Sequence, residues 1–152
     1  MTVADRQALA EFLDVKAALL SRAGLSTGYH NHNFEFAPAG GRTGFEILME
    51  ATDPKLVTFE MGAGWSLPPA ALLQRYPGRF RPMHVKDIKA STKPNFWLQQ
   101  DPTEVGSGRL AWAQILPAAY AAGVRDFVEQ EPPFPASRLA AIEKSLRYLI
   151  SL

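Results

Sequence analysis

Three histidines and a scatter of carboxylates are the residues of this chain best able to move protons or hold a cation. They are bunched. Tyr29-His30-Asn31-His32-Asn33-Phe34-Glu35 brings two of the histidines and a glutamate together, and His84-Val85-Lys86-Asp87 carries the third beside a lysine. Glu129-Gln130-Glu131 adds two carboxylates near the end. On a strand, side chains alternate between faces, so His30 and His32 would share one. The chain has no cysteine. Disulfides, thiolate–metal sites and cysteine nucleophiles are therefore excluded. A bound cation must use imidazole and carboxylate, a donor set that suits Mn, Mg, Co or Zn. Plainer readings stand beside these. His84 could be a core histidine satisfied by hydrogen bonds, and Lys86 with Asp87 an ion pair at a loop mouth. Glu129 closes an apolar stretch where an unpaired carboxylate is costly. Its partner could be a metal, Arg125 or Lys86. Trp97 and Trp112 read as packing residues; Trp65 reads so too, but is kept as a candidate sugar contact.

Something must position these groups, and the apolar pattern says what. Thr2 with Asp5 resembles a capping box, followed by Val3, Leu9, Phe12, Leu13, Leu19 and Leu20 at helical spacing. Gly24 marks the stop, which predicts a helix over 3–22. Strands are expected at 25–30, 56–61, 80–85 and 124–129, the second of them rich in β-branched and aromatic residues. Helices should follow each: a short one around Phe45–Met49, one entered through Pro68-Pro69, one over 110–122, and a last one carrying Leu139, Ile142, Leu146 and Leu149. The stretch 86–109 shows no periodicity and reads as a long loop, functional or mobile. The order is one helix, then four strand–helix units. Such alternation predicts an α/β fold with a parallel sheet, in a single domain over 1–152. The polar clusters fall at the carboxyl ends of the strands, where ligands bind in such folds.

Composition narrows the function. Sixteen Lys and Arg against fifteen Asp and Glu leave a net charge of +1 among 152 residues. That balance gives no reason to expect nucleic acid or an anionic membrane as partner. No apolar run is long enough to span a bilayer and the first residues lack a signal-peptide pattern, so the expected location is the cytoplasm.

Taken in order, Gly28-Tyr-His-Asn-His-Asn-Phe-Glu-Phe36, Pro77-Gly-Arg-Phe80, His84-Val-Lys-Asp87, Glu104-Val-Gly-Ser-Gly108 and Val128-Glu-Gln-Glu131 closely resemble the sugar phosphate isomerase/epimerase family of xylose isomerase-like TIM barrels. The resemblance implies a (β/α)8 barrel, of which this chain supplies about the C-terminal half. It implies a divalent metal at the C-terminal face, and removal of a proton beside a sugar carbonyl through an enediolate. Carried over by position, it implies His30, His84 and Glu129 as metal ligands, with Glu129 and His32 as the acid/base pair. Glu35, Lys86 and Trp65 would then contact a keto-sugar or sugar phosphate.

Two departures qualify that expectation. Where relatives have a metal-binding aspartate on the sixth barrel strand, this chain reads Phe59-Glu60-Met61-Gly62. Glu60 shares a face with position 62 but lies two residues deeper, and is expected to substitute only if the strand shifts. Metal occupancy is accordingly in question, and Gly62→Asp is the discriminating variant: restored metal binding and activity would mark the chain as a decayed enzyme. A whole barrel also takes about 250 residues. Four parallel strands cannot close, so an apolar barrel interior would be exposed on one face and both sheet edges would be bare. The partners expected are a small-molecule sugar and either a second copy of this chain or a complementary half-barrel chain; a truncated product is the alternative. The functions that follow are a metal-dependent isomerase or epimerase, or an inactive sugar-binding or assembly remnant of one. A nuclease-type barrel is disfavoured, because three histidines are too few for such a site.

Overall fold

Thr2 opens the first helix, α1 (Val3–Ser21), with the reciprocal bonds its spacing implied. The Thr2 hydroxyl accepts from the Asp5 N–H at 3.2 Å, and the Asp5 carboxylate accepts from the Thr2 N–H at 2.6 Å. The structure, a computed structural model, describes residues 1–62, 68–93, 96, 101–129 and 137–152, with residue 129 described by its backbone. After α1 come strand β1 (Thr27–His30) and a 3-10 turn (Phe34–Phe36). A short antiparallel pair, β2 (Pro38–Ala39) with β3 (Arg42–Thr43), turns through Gly40 and Gly41. Both glycines have positive φ, as that tight turn demands.

Helix α2 (Gly44–Ala51) starts with a second capping box, Thr43 with Glu46, which composition alone had not marked. Then come β4 (Val57–Gly62), α3 (Pro69–Arg75) and β5 (Phe80–Val85). The long loop expected over 86–109 contains a small antiparallel pair, β6 (Asp87–Ile88) with β7 (Pro102–Thr103). Helix α4 (Trp112–Ala121), strand β8 (Asp126–Glu129) and helix α5 (Arg138–Ile150) complete the order.

The four main strands pair in parallel as β1-β4-β5-β8, the arrangement the strand–helix alternation requires. Alternation along them separates two faces. Val57, Phe59 and Met61 of β4 and Phe80, Met83 and Val85 of β5 are buried against Phe45, Leu48, Leu72, Leu73, Trp112 and Ile115 of the helices. The opposite face carries Gly28 and His30 of β1, Thr58, Glu60 and Gly62 of β4, and His84 of β5. Apart from Val128 of β8, the ladder partner of His84 and half-exposed, it is small and polar, not the apolar layer expected of a barrel interior. More apolar surface is left uncovered on the helices: Phe12, Val15 and Leu19 on α1, and Leu139, Leu146 and Ile150 on α5, are all mostly exposed.

One irregularity decides where His84 goes. Phe59 pairs with Phe80 and Met61 with Met83, so two steps along β4 match three along β5. The extra residue falls at Arg81-Pro82, where proline has no N–H to give the ladder. Strict alternation from Phe80 would have turned His84 toward the helices. The bulge turns it onto the open face, level with Gly62.

Candidate functional site

At the carboxyl ends of β1, β4 and β5 three side chains converge. His30 and Glu60 are direct partners in the β1–β4 ladder. One Glu60 oxygen lies 3.0 Å from His30 Nδ1, and the other lies 2.8 Å from His84 Nε2. The two imidazole rings are 4.4 Å apart, centroid to centroid. All three side chains keep a fifth to under a third of their surface open to solvent, so the cluster is reachable from the open face. Glu60 was expected to reach such a site only through a strand shift. It reaches by register, because parallel pairing sets it beside His30 and the β5 bulge delivers His84 from the other side.

His32 stands just beyond the strand, its ring 4.7 Å from that of His30 and stacked on Phe34 at 5.6 Å. The structure thus brings all three histidines to one place. Burial lowers the proton affinity of His32, and the nearby His30 lowers it further. Burial likewise lowers that of His84; His30, Lys86 and His32 act in the same sense, while Glu60 opposes. Both rings are therefore biased toward the neutral form, which can accept a proton or ligate a cation. Lys86, the residue after β5, is half-buried, and desolvation lowers its own proton affinity.

Gly62 explains why the carboxylate is at 60. A Cβ built on Gly62 would lie 2.7 Å from the backbone carbonyl oxygen of Asn31, closer than real side chains approach. Asn31 is itself buried, and its side-chain oxygen accepts from the Gly62 N–H at 3.3 Å. An aspartate at 62 has no room unless the exit of β1 moves. The packing thus weighs against restoration as the outcome of Gly62→Asp.

The donor set fits a divalent cation. Two imidazole nitrogens and a carboxylate oxygen lie within 4.8 Å of one another. Donors to a tetrahedral ion with bonds of about 2.0–2.1 Å sit roughly 3.3 Å apart, so small side-chain adjustments suffice. Among the described residues, this is the grouping of three such side chains able to meet on one ion.

No protein-family model matches the chain, and no curated protein matches it. Solved structures do. A sugar phosphate isomerase/epimerase from Parabacteroides distasonis matches 97% of this chain with a TM-score of 0.82 at 25% identity. A second structure of that description from the same organism matches 99% with a TM-score of 0.81 at 24% identity. The fold is that of a xylose isomerase-like TIM barrel, in part. The chain spans about half the length of those two structures, 52% and 55%. A xylose isomerase-like TIM barrel/4-hydroxyphenylpyruvate dioxygenase fusion protein matches 96% of it with a TM-score of 0.66 at 17% identity, over 25% of its own length.

Within this partial barrel the remaining site residues divide. Glu35 is fully buried. The Tyr29 hydroxyl donates to one of its oxygens at 2.6 Å and the His32 N–H to the other at 2.7 Å, with Arg6 at 3.8 Å. Burial and this carboxylate push the Tyr29 phenol well above its usual range, so it stays a donor. Expected to meet sugar hydroxyls, Glu35 instead braces the loop that presents His30 and His32.

Asp87 is also fully buried and is no ion-pair partner at a loop mouth. It accepts from the N–H groups of Ile88, Gly106, Gly108 and Leu110 and from the Trp112 indole, all between 2.9 and 3.2 Å. Of the glycines in Glu104-Val-Gly-Ser-Gly108, Gly108 is there for it, since a Cβ on it would collide with the carboxylate, whereas a Cβ on Gly106 would meet the Tyr148 ring. Arg79 of Pro77-Gly-Arg-Phe80 is structural too, donating to the Met49 carbonyl and the Thr52 hydroxyl at the end of α2. Glu129 ends β8 with Val85 as its ladder partner; its side chain, and Trp65, lie outside the described residues. Among the described residues, no helix is long and apolar enough to cross a membrane.

Proposed function

We propose that this chain carries the metal-binding and proton-transferring part of an isomerase or epimerase acting on a keto-sugar or sugar phosphate. The observation that carries the reading is the convergence of His30, Glu60 and His84 at the strand ends of a parallel sheet, with His32 alongside. His30, Glu60 and His84 would hold a divalent cation. Such an ion, when bound, polarises a carbonyl and offsets the negative charge that grows as the neighbouring proton leaves.

The chain's own residues supply the rest. His32, held neutral by its surroundings, accepts the proton, and its ring is kept in place because Glu35 grips its backbone N–H. The imidazolium so formed returns that proton to the other carbon of the enediolate, which regenerates the neutral His32 ring. Lys86, half-buried just after β5 and partly desolvated, donates to a substrate oxygen or phosphate. Tyr29 and Asp87 do no chemistry; they fix the two loops on either side of the cluster.

Completing the barrel is part of the proposal. β1 and β8 are the ends of the four-stranded sheet, and the first and last helices, α1 and α5, carry exposed apolar residues. The additional strands come from a second copy of this chain or from a complementary half.

The test is solvent exchange. Ketoses and ketose phosphates are incubated with the metal-loaded protein in deuterium oxide, and label is sought at the carbon beside the carbonyl. Incorporation that disappears in His32→Ala supports the reading; none across the panel contradicts it. A second reading, a sugar-binding module without turnover, draws support from Gly62, where the expected carboxylate is missing. It predicts saturable sugar binding with no exchange.

A further inference from the structure

We infer that the His30–Glu60–His84 centre is built for a nitrogen-seeking transition-metal dication of the Zn2+ or Co2+ kind and discriminates against Mg2+, with Glu60 as its carboxylate ligand. The inference rests on the metal-binding reading above and sharpens it.

Donor chemistry is the first argument. Two of the three converging atoms are imidazole nitrogens and one is a carboxylate oxygen. Mg2+ is a hard ion that holds near-octahedral oxygen ligands and gives up its water reluctantly. Imidazole adds little to its binding, but favours Zn2+, Co2+ and Ni2+ strongly. Charge gives the second argument. A single carboxylate among the three leaves the centre one negative charge against a dication, so electrostatic attraction alone, which is most of what holds Mg2+, is weak here.

Sterics make the third. The one position on β4 level with His84 that could have added a second oxygen ligand is Gly62, and the Asn31 carbonyl fills the space a side chain would need. Among the described residues, the oxygen-poor composition is therefore set by backbone packing. Glu60 is the carboxylate among them that reaches the centre, and both its oxygens already face the two nitrogens a cation would share.

The experiment uses chelator-treated full-length chain, with folding verified by circular dichroism. Co2+ is titrated in and its visible ligand-field bands, which are intense in four- or five-coordinate nitrogen–oxygen sites, report binding directly. The expected result is one equivalent of Co2+, displaced by stoichiometric Zn2+ and retained against an excess of Mg2+ of about a thousandfold. Glu60→Gln, which keeps size and shape, should weaken Co2+ binding by at least about tenfold. Mg2+ that displaces Co2+ at comparable concentration overturns the preference while leaving a metal site in place. Unchanged Co2+ affinity in folded Glu60→Gln overturns Glu60 as ligand. Should that variant not fold, the Mg2+ competition on the unaltered chain still decides the preference. Failure of the folded protein to take up Co2+, Zn2+ or Mg2+ in stoichiometric amount overturns the metal reading itself.

Discussion

The backbone carbonyl of Asn31 occupies the space beside Gly62 that a side chain would fill, at 2.7 Å from an ideal Cβ. The exit of β1 thus closes on the end of β4 just where the resemblance implies an aspartate. The consequence is testable. Gly62→Asp should cost about 1–3 kcal/mol of stability, the usual cost of overpacking, and should not raise metal affinity. Denaturant unfolding and a metal titration of the variant measure both. Tighter binding in a stable variant would mean that β1 yields easily there.

Asp87 should matter as much to stability as any apolar core residue. Five N–H donors point at its two oxygens, so Asp87→Asn turns an amide NH2 toward groups that can only donate. A loss of about 2–4 kcal/mol is expected, read by equilibrium unfolding, with a change in tryptophan fluorescence as the Trp112 indole loses its acceptor.

Acid should destabilise the metal-free protein. His84 and His32 both bind protons less readily in the folded chain than the ordinary value of 6.5, burial being the first cause in each. As pH falls through about 6.5, the unfolded chain takes up protons before the folded one, so stability drops; well above that value these groups contribute no pH dependence. Unfolding midpoints measured across that window should fall on acidification, and the double variant His32→Gln, His84→Gln should flatten the slope. A midpoint that rises on acidification would contradict the assignment.

Self-association is expected from the two bare sheet edges and the exposed apolar residues of α1 and α5. Light scattering on the purified chain at micromolar concentration should show a species larger than one copy, or a stable assembly once a complementary half is supplied. A well-folded monomer that neither associates nor accepts such a half would contradict the need for closure.

How much of this was legible in the sequence follows from what is local and what is not. Capping at Thr2, the stop at Gly24 and the alternation of apolar runs are local signals, and they gave the elements and the parallel order. His30, His32 and His84 were visible as candidates because strand ends collect ligands in such folds. The membership of Glu60 was not, because its depth relative to His30 depends on the register between two strands 30 residues apart. The face of His84 was hidden for a similar reason: Pro82 could be seen, but not the bulge that it would cause. Asp87 read as an exposed ion-pair partner because four of its five donors lie 19 to 25 residues further on. Glu35 sat three residues past a strand-end histidine cluster, where a solvent-facing role was the natural reading; only the chain's turn through Phe34–Phe36 buries it.

The central claim is that His30, Glu60 and His84 surround one cation. X-ray absorption at the metal edge of the Zn2+-loaded protein tests it most directly. Two imidazole rings, recognisable by their multiple scattering, together with carboxylate oxygen in the first shell, are the expected result. A shell of oxygens alone, without imidazole scattering, would contradict it.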